Sequence, residues 1–133
     1  MAIHDNILSI LGKHDCQYES IPGHIGCHSE GGSGANLGLI GRPMDFLNDV
    51  SSSCTTGDSR CIEIGKRACC ATPNCWGFGI HSSWGVQIYD KRASNQSVCS
   101  GTNGLGQNKD WNTYKKLNFG MTLTNYVFKS CNM

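Results

Sequence analysis

Nine cysteines in 133 residues constrain this chain more than any other feature. At that density sulfur persists either as disulfides in an oxidising compartment or as metal ligands in a reducing one. Structural metal sites bring cysteines in closely spaced pairs. The spacings here are wide and irregular, and no Cys-x-x-Cys occurs. Cross-linking is therefore the expectation, with no metal and no cofactor. The bridge candidates are Cys16, Cys27, Cys54, Cys61, Cys69, Cys75, Cys99 and Cys131. A native disulfide is typically worth about 2–4 kcal/mol, so reduction is expected to unfold the chain. Nine is odd. One thiol is expected to be free, joined to another chain, or joined to a segment outside this sequence. Counting does not choose among the pairings.

Composition explains why cross-links are needed. The hydrophobic fraction is 38%, the charged fraction is 16%, and the formal charge is +1. A disordered chain normally carries high net charge, so a folded domain with a thin core is expected. The length suits one domain over residues 1–133, with an N-terminal part (1–57) and a helix–sheet core (58–131). Near-neutral charge argues against nucleic acid, which needs a basic surface. No apolar run is long enough for a transmembrane segment. Met1 to Leu11 lacks a basic start, and His4, Asp5 and Asn6 interrupt its apolar run. It is not read as a signal peptide; a secreted protein would here be in its mature form.

Four cysteines fall between Asp58 and Ile80. Asp58 or Ser59 suits a helix N-cap. Glu63 is expected in the first turn and Lys66 and Arg67 nearer the C-terminus, as the helix dipole favours. Pro73 ends the helix and biases Thr72 out of helical angles. Steps of about 100° gather Cys61, Ile62, Ile64, Gly65, Ala68, Cys69 and Ala71 on one broad face. Cys61 and Cys69 should thus bridge to core strands. Cys70 points away: it reaches a loop or terminal segment, or it is the odd or intermolecular cysteine. Adjacent helical residues do not face each other, which disfavours a Cys69–Cys70 bridge.

After the stop, Trp76, Phe78 and Ile80 alternate with Gly77, Gly79 and His81, as in a strand with one bulky and one bare face. The bare face would admit a helix backbone. A turn at Ser82-Ser83 and a strand from Trp84 to Asp90 complete a hairpin, with Val86 and Ile88 facing one way and Gln87 and Tyr89 the other. Ile3, Ile7, Leu8 and Leu11 have helical spacing, so a short N-terminal helix is expected. Cys16 to Ile21 reads as a first strand ended by Pro22-Gly23. The glycine-rich stretch 23–41 is a loop and lacks a phosphate-binding pattern. Arg42 to Val50 suits a helical turn. Residues 92–110 read as a long loop containing Asn95-Gln96-Ser97, a glycosylation acceptor pattern. Trp111–Leu117 and Met121–Phe128 read as two more strands.

The run Ala68-Cys69-Cys70-Ala71-Thr72-Pro73-Asn74-Cys75-Trp76-Gly77-Phe78-Gly79-Ile80 resembles the PAN/apple family. There a cysteine-bearing helix leads through a short turn to a cysteine that opens a strand. Trp111-Asn112-Thr113-Tyr114-Lys115-Lys116 looks like that family's closing strand. The likeness spans about residues 58–131. It implies an α+β fold: a disulfide-stapled, curved antiparallel sheet with one central helix packed across it. It also implies helix–sheet bridges involving Cys69 or Cys70, Cys75 and Cys99, with Cys131 bonded to Cys16 or Cys27. Cys61 stands two turns before the next helix cysteine, where the family usually has one turn, and Cys99 lies far from Cys75.

Catalysis finds no frame. His14, His24, His28 or His81 could serve as base to Cys16 or Cys27, but such a pair needs a free thiolate. His24, Cys27 and His28 have close spacing for a metal but need a reduced Cys27 and a fourth ligand. The acidic residues form no recognisable pair. No enzyme is expected. Aromatic rings beside amides and charges suit sugar or protein surfaces. Trp76, Phe78 and Trp111 are assigned to the core, and Trp84, Tyr89, Asp90 and Arg92 to ligand contact. The resulting expectation is a secreted extracellular binding or adhesion module that recognises a protein or glycan, in a setting such as matrix or mucosal defence. It would be a glycoprotein if Asn95 is occupied. The alternatives are a self-associating subunit of a disulfide-linked assembly or filament, and a toxin or antimicrobial protein using the N-terminal helix.

Overall fold

The computed structural model describes residues 15–27, 38–43, 59–99 and 101–117. The expected N-terminal helix, the Arg42–Val50 turn from Met44 onward, the Asp58 cap, the Met121–Phe128 strand, Cys54 and Cys131 lie outside these residues. The fold is α+β. Among the described residues the strands are β1 (Tyr18–Ile25), β2 (Leu39–Gly41), β3 (Gly77–His81), β4 (Gly85–Tyr89) and β5 (Gly106–Lys116), and a helix, α1, spans Ser59–Ala71. Short 3-10 turns occupy Lys91–Ser94 and Thr102–Gly104. All strand pairs are antiparallel, in the order β1-β5-β3-β4-β2.

The period of two along β3, β4 and β5 creates two distinct sheet faces. Phe78 lies opposite both Ile88 and Tyr114, and Ile80 opposite Val86. These side chains meet Cys61, Ile64, Ala68 and Cys69 of α1 in the main core. The buried stripe of the helix is Cys61, Ile64, Gly65, Ala68 and Cys69. Ile62 is half-buried and Ala71 is exposed, so the stripe is narrower than the sequence suggests.

The helix packs on the bulky face of β3, not the bare one. The close approach comes from the helix: a Cβ at Gly65 would overlap the Phe78 ring. The Phe78 ring is stacked with Tyr114 at 4.9 Å and meets the edge of Tyr18 at 5.3 Å. The bare side of Gly79 is covered by the rings of Tyr89 and Trp111.

The helix ends differ from expectation. Glu63 lies beyond the first turn and pairs with Arg67 one turn on, at 2.9 Å. The last turn has no basic residue of its own. Lys116 of β5 supplies the cation, donating from Nζ to the carbonyls of Cys69 (2.8 Å) and Thr72 (3.5 Å). Carbonyls at a helix C-terminus lack intrahelical partners and favour positive charge. Burial lowers the pKa of Lys116.

Three disulfides are described: Cys16–Cys70, Cys27–Cys99 and Cys69–Cys75. Cys61 is bonded as well. Neighbouring Cys69 and Cys70 diverge as helix geometry requires. Cys69 reaches the turn ahead of β3, while Cys70 reaches the segment ahead of β1. Cys70 is therefore not the odd cysteine. Two pairings implied by the family likeness are also corrected. Cys16 and Cys27 are taken by Cys70 and Cys99, leaving neither for Cys131, and Cys99 does not bridge to the helix.

Pro22-Gly23 does not end the first strand. β1 continues to Ile25 through a register shift between Pro22 and His24, with Gly23 at φ +73°. β1 ends the strand order, where a proline without an N–H is tolerated. β5 begins at Gly106, five residues before the expected strand, because it pairs with β1 as well as β3.

Two outcomes follow. Gly65→Ala gains about 1 kcal/mol of helix propensity, but overpacking against Phe78 costs about 1–3 kcal/mol or more; a lowered urea midpoint is expected, and an unchanged or raised one would contradict the contact. Alkylation of the folded chain without reductant, read by peptide mass, should leave Cys16, Cys27, Cys61, Cys69, Cys70, Cys75 and Cys99 unmodified.

Candidate binding site

The hairpin between β3 and β4 carries the most exposed large apolar side chain among the described residues. Its turn is Ser82-Ser83-Trp84, followed by Gly85 at φ +76°. A three-residue hairpin loop needs such a left-handed residue at its end. Trp84 therefore sits in the turn, not at a strand start, and 58% of its surface is exposed.

The indole is nevertheless held. His81, the last residue of β3, stacks on it with ring centroids 5.0 Å apart and planes 28° apart. His81 also lies 5.0 Å from Trp111, its cross-strand partner on β5. Trp84 and Trp111 meet edge to face at 6.2 Å. Trp111 itself is buried, as the sequence predicts. The imidazole is oriented by the turn: its Nδ1 accepts the backbone N–H of Ser83 (2.9 Å) and of Trp84 (3.2 Å). In the neutral ring an accepting Nδ1 leaves the proton on Nε2. That nitrogen has no partner among the described residues and is not sealed from solvent. A largely exposed tryptophan and a ring nitrogen free to donate thus belong to one stacked pair.

The four expected contact residues do not form one site. Tyr89 is 1% exposed. Its ring packs under Gly26, where a Cβ would come within 2.7 Å, and its hydroxyl donates to Gln87 Oε1 at 2.8 Å. It is a core residue, which corrects the sequence expectation; alternation placed it opposite Val86 and Ile88 but did not reveal that a second layer covers that face. Asp90 caps the first 3-10 turn by accepting from the Arg92 N–H at 2.9 Å. The Arg92 side chain folds back on the same carboxylate, with Nη2–Oδ2 at 2.7 Å. These hydrogen bonds from Arg92 hold the Asp90 carboxyl below its usual range. The pair lies at the opposite end of β4 from Trp84, about 20 Å along the strand. Arg92 is exposed, but its charge is largely answered within the chain.

Other candidates resolve in the same manner. Cys16 and Cys27 are in disulfides, so neither offers a thiolate to a histidine or a metal. Asp15, Cys16 and Cys70 cluster closely, yet both sulfurs are bonded to each other. A shallow depression lined by Gly23, His24, Gln107, Asn108 and Lys109 accompanies the β1 bulge. Asn95 is half-buried, and its Oδ1 accepts from the Ser97 N–H (3.0 Å) and hydroxyl (2.6 Å).

No protein-family model matches the chain, and neither a curated protein nor a solved structure matches it. Among the described residues no helix is long and apolar enough to cross a membrane.

Sequence reasoning missed His81 as a site residue. The signal was His81-x-x-Trp84 spanning a turn, but the cross-strand partner Trp111 is thirty positions away and depends on β3–β5 register.

Burial raises the Tyr89 phenol well above its ordinary range, and burial followed by the nearby Glu63 charge does the same for Tyr18. A raised folded-state pKa stabilises the fold fully below the unfolded value, about 10, and this is lost as pH rises through the folded value. Ultraviolet titration should show these two phenols ionising later than an exposed tyrosine, together with alkaline unfolding. Tyr89→Phe should flatten the stability loss above pH ~10; an unaltered profile would contradict the burial assignment.

Proposed function

We propose that the chain is a secreted extracellular binding module of PAN/apple-like type, with its recognition surface at the Trp84 hairpin. One observation carries this reading: an indole that is 58% exposed is yet fixed in orientation by a stacked imidazole. A mobile exposed tryptophan gains little on binding because its ordering opposes the contact. One already held presents a flat apolar face at low entropic loss.

The scaffold supports the reading. The described disulfides suit an oxidising compartment. α1 across an antiparallel sheet, stapled by Cys69–Cys75 ahead of β3, agrees with the form of the family the sequence resembles. The module acts by contact, not by catalysis, and the proposed partner is an extracellular protein or glycan. The Asn95 turn faces solvent at Gln96 and Ser97, and we include its glycosylation in the proposal.

Plate binding of the labelled full chain to immobilised mucin and fibronectin tests the site. Trp84→Ala should weaken binding about tenfold or more, the loss of one stacked ring. Leu117→Ala, at the opposite end of the sheet, should leave it unchanged. Equal binding by wild type and Trp84→Ala would remove the hairpin from the reading.

A further inference from the structure

We infer that the Trp84 face and the adjoining Nε2–H of His81 form a single-ring sugar subsite, taking a pyranoside with a continuous C–H face. This rests on the binding reading above and narrows it to one ligand class.

The argument begins with area. A tryptophan carries up to about 250 Å² of surface, so Trp84, 58% exposed as a residue, offers at most on the order of 150 Å². That matches one face of a hexose ring. A stable protein interface needs about 800 Å² on each side, with an apolar centre. The other exposed large apolar residues described, Val98 and Leu117, lie on separate segments and do not extend the patch. The fringe around Trp84 is polar instead: Ser82 and Ser83 are exposed.

Orientation makes the second argument. A pyranose stacks its C–H face on a π system and presents hydroxyls at its rim. A rim hydroxyl that overhangs the indole edge can accept from a donor on the ring stacked with it. His81 provides one, because its Nδ1 is occupied by two backbone N–H groups and its proton is thereby placed on Nε2. The stack with Trp84 and the contact with Trp111 hold that donor in position without a ligand.

The test uses the full-length oxidised chain labelled with 15N. Methyl β-D-galactopyranoside and methyl β-D-glucopyranoside are titrated separately, with glycerol as a polyol that lacks a ring face. At least one glycoside should shift the Trp84 indole N–H and the His81 Nε2 resonance saturably, with a dissociation constant on the order of 1 mM, as befits a ligand of that size. Trp84→Ala should weaken this about tenfold or more, and Trp84→Phe should retain part of it. No saturable shift up to about 100 mM, a shift matched by glycerol, or one unaffected by Trp84→Ala would overturn the subsite. A mucin arm separates this from failure of the broader reading. Trp84-dependent binding to mucin that survives periodate oxidation of its sugars overturns the subsite and leaves a protein-binding hairpin. Trp84-dependent binding abolished by periodate, together with the sugar shifts, supports both.

Discussion

The contact between Gly65 and the Phe78 ring sets the spacing of helix and sheet. Phe78 is central: Ile88 and Tyr114 flank it across the sheet, Tyr18 makes a T-shaped contact with it, and α1 lies over it. Because Gly65 has no side chain, the helix settles directly on that ring. Ile64, Ala68 and Cys69 then reach the same core. A thin apolar interior is closed by one close approach and cross-linked by sulfur within it, since Cys61, Cys69 and Cys75 are themselves core residues. The carbonyl end of the helix is held by Cys69–Cys75, by Cys16–Cys70 and by the Lys116 ammonium.

Local features were legible in the sequence where a short periodic pattern decided them. The 3.6-residue stripe placed α1, Pro73 placed its end, and the alternation around Phe78 and Val86 placed the hairpin. The divergence of Cys69 and Cys70 also followed from helix geometry. What was not legible depended on partners far along the chain. Pro22-Gly23 looks like a strand end until β5 is laid beside it, where a bulge absorbs the irregularity. Residues 106–110 look like loop because Gly106, Gln107, Asn108, Lys109 and Asp110 have no apolar alternation; β5 starts there because Gly106 and Gln107 pair with Ile25 and His24 beyond the register shift.

The candidate site shows the same division. Trp84 stands out in sequence as an aromatic among serine and glycine. Its fixity is a tertiary property, made by a histidine on one strand and a tryptophan on another. Tyr89 was misplaced for a related reason. Strand alternation separates its face from that of Val86, but it does not report that the backbone at Gly26 packs against the Tyr89 ring there. Asp90 and Arg92 were adjacent polar residues of the kind that often meets a ligand, and the fold turns them on each other.

The strand order has a bearing on how such a chain comes into being. β1 is made early and β5 late, yet they lie side by side, with Tyr18 opposite Lys116. A ribosome releases the first strand long before its neighbour exists. Loop closure over that length is entropically slow, so the unpaired edge of β1 waits in an open state. During that interval Cys16 and Cys27 precede their mates, Cys70 and Cys99, in the emerging polypeptide. Oxidation that outruns synthesis can join these early sulfurs wrongly, and the slow reshuffling of such bridges then limits arrival at the native set.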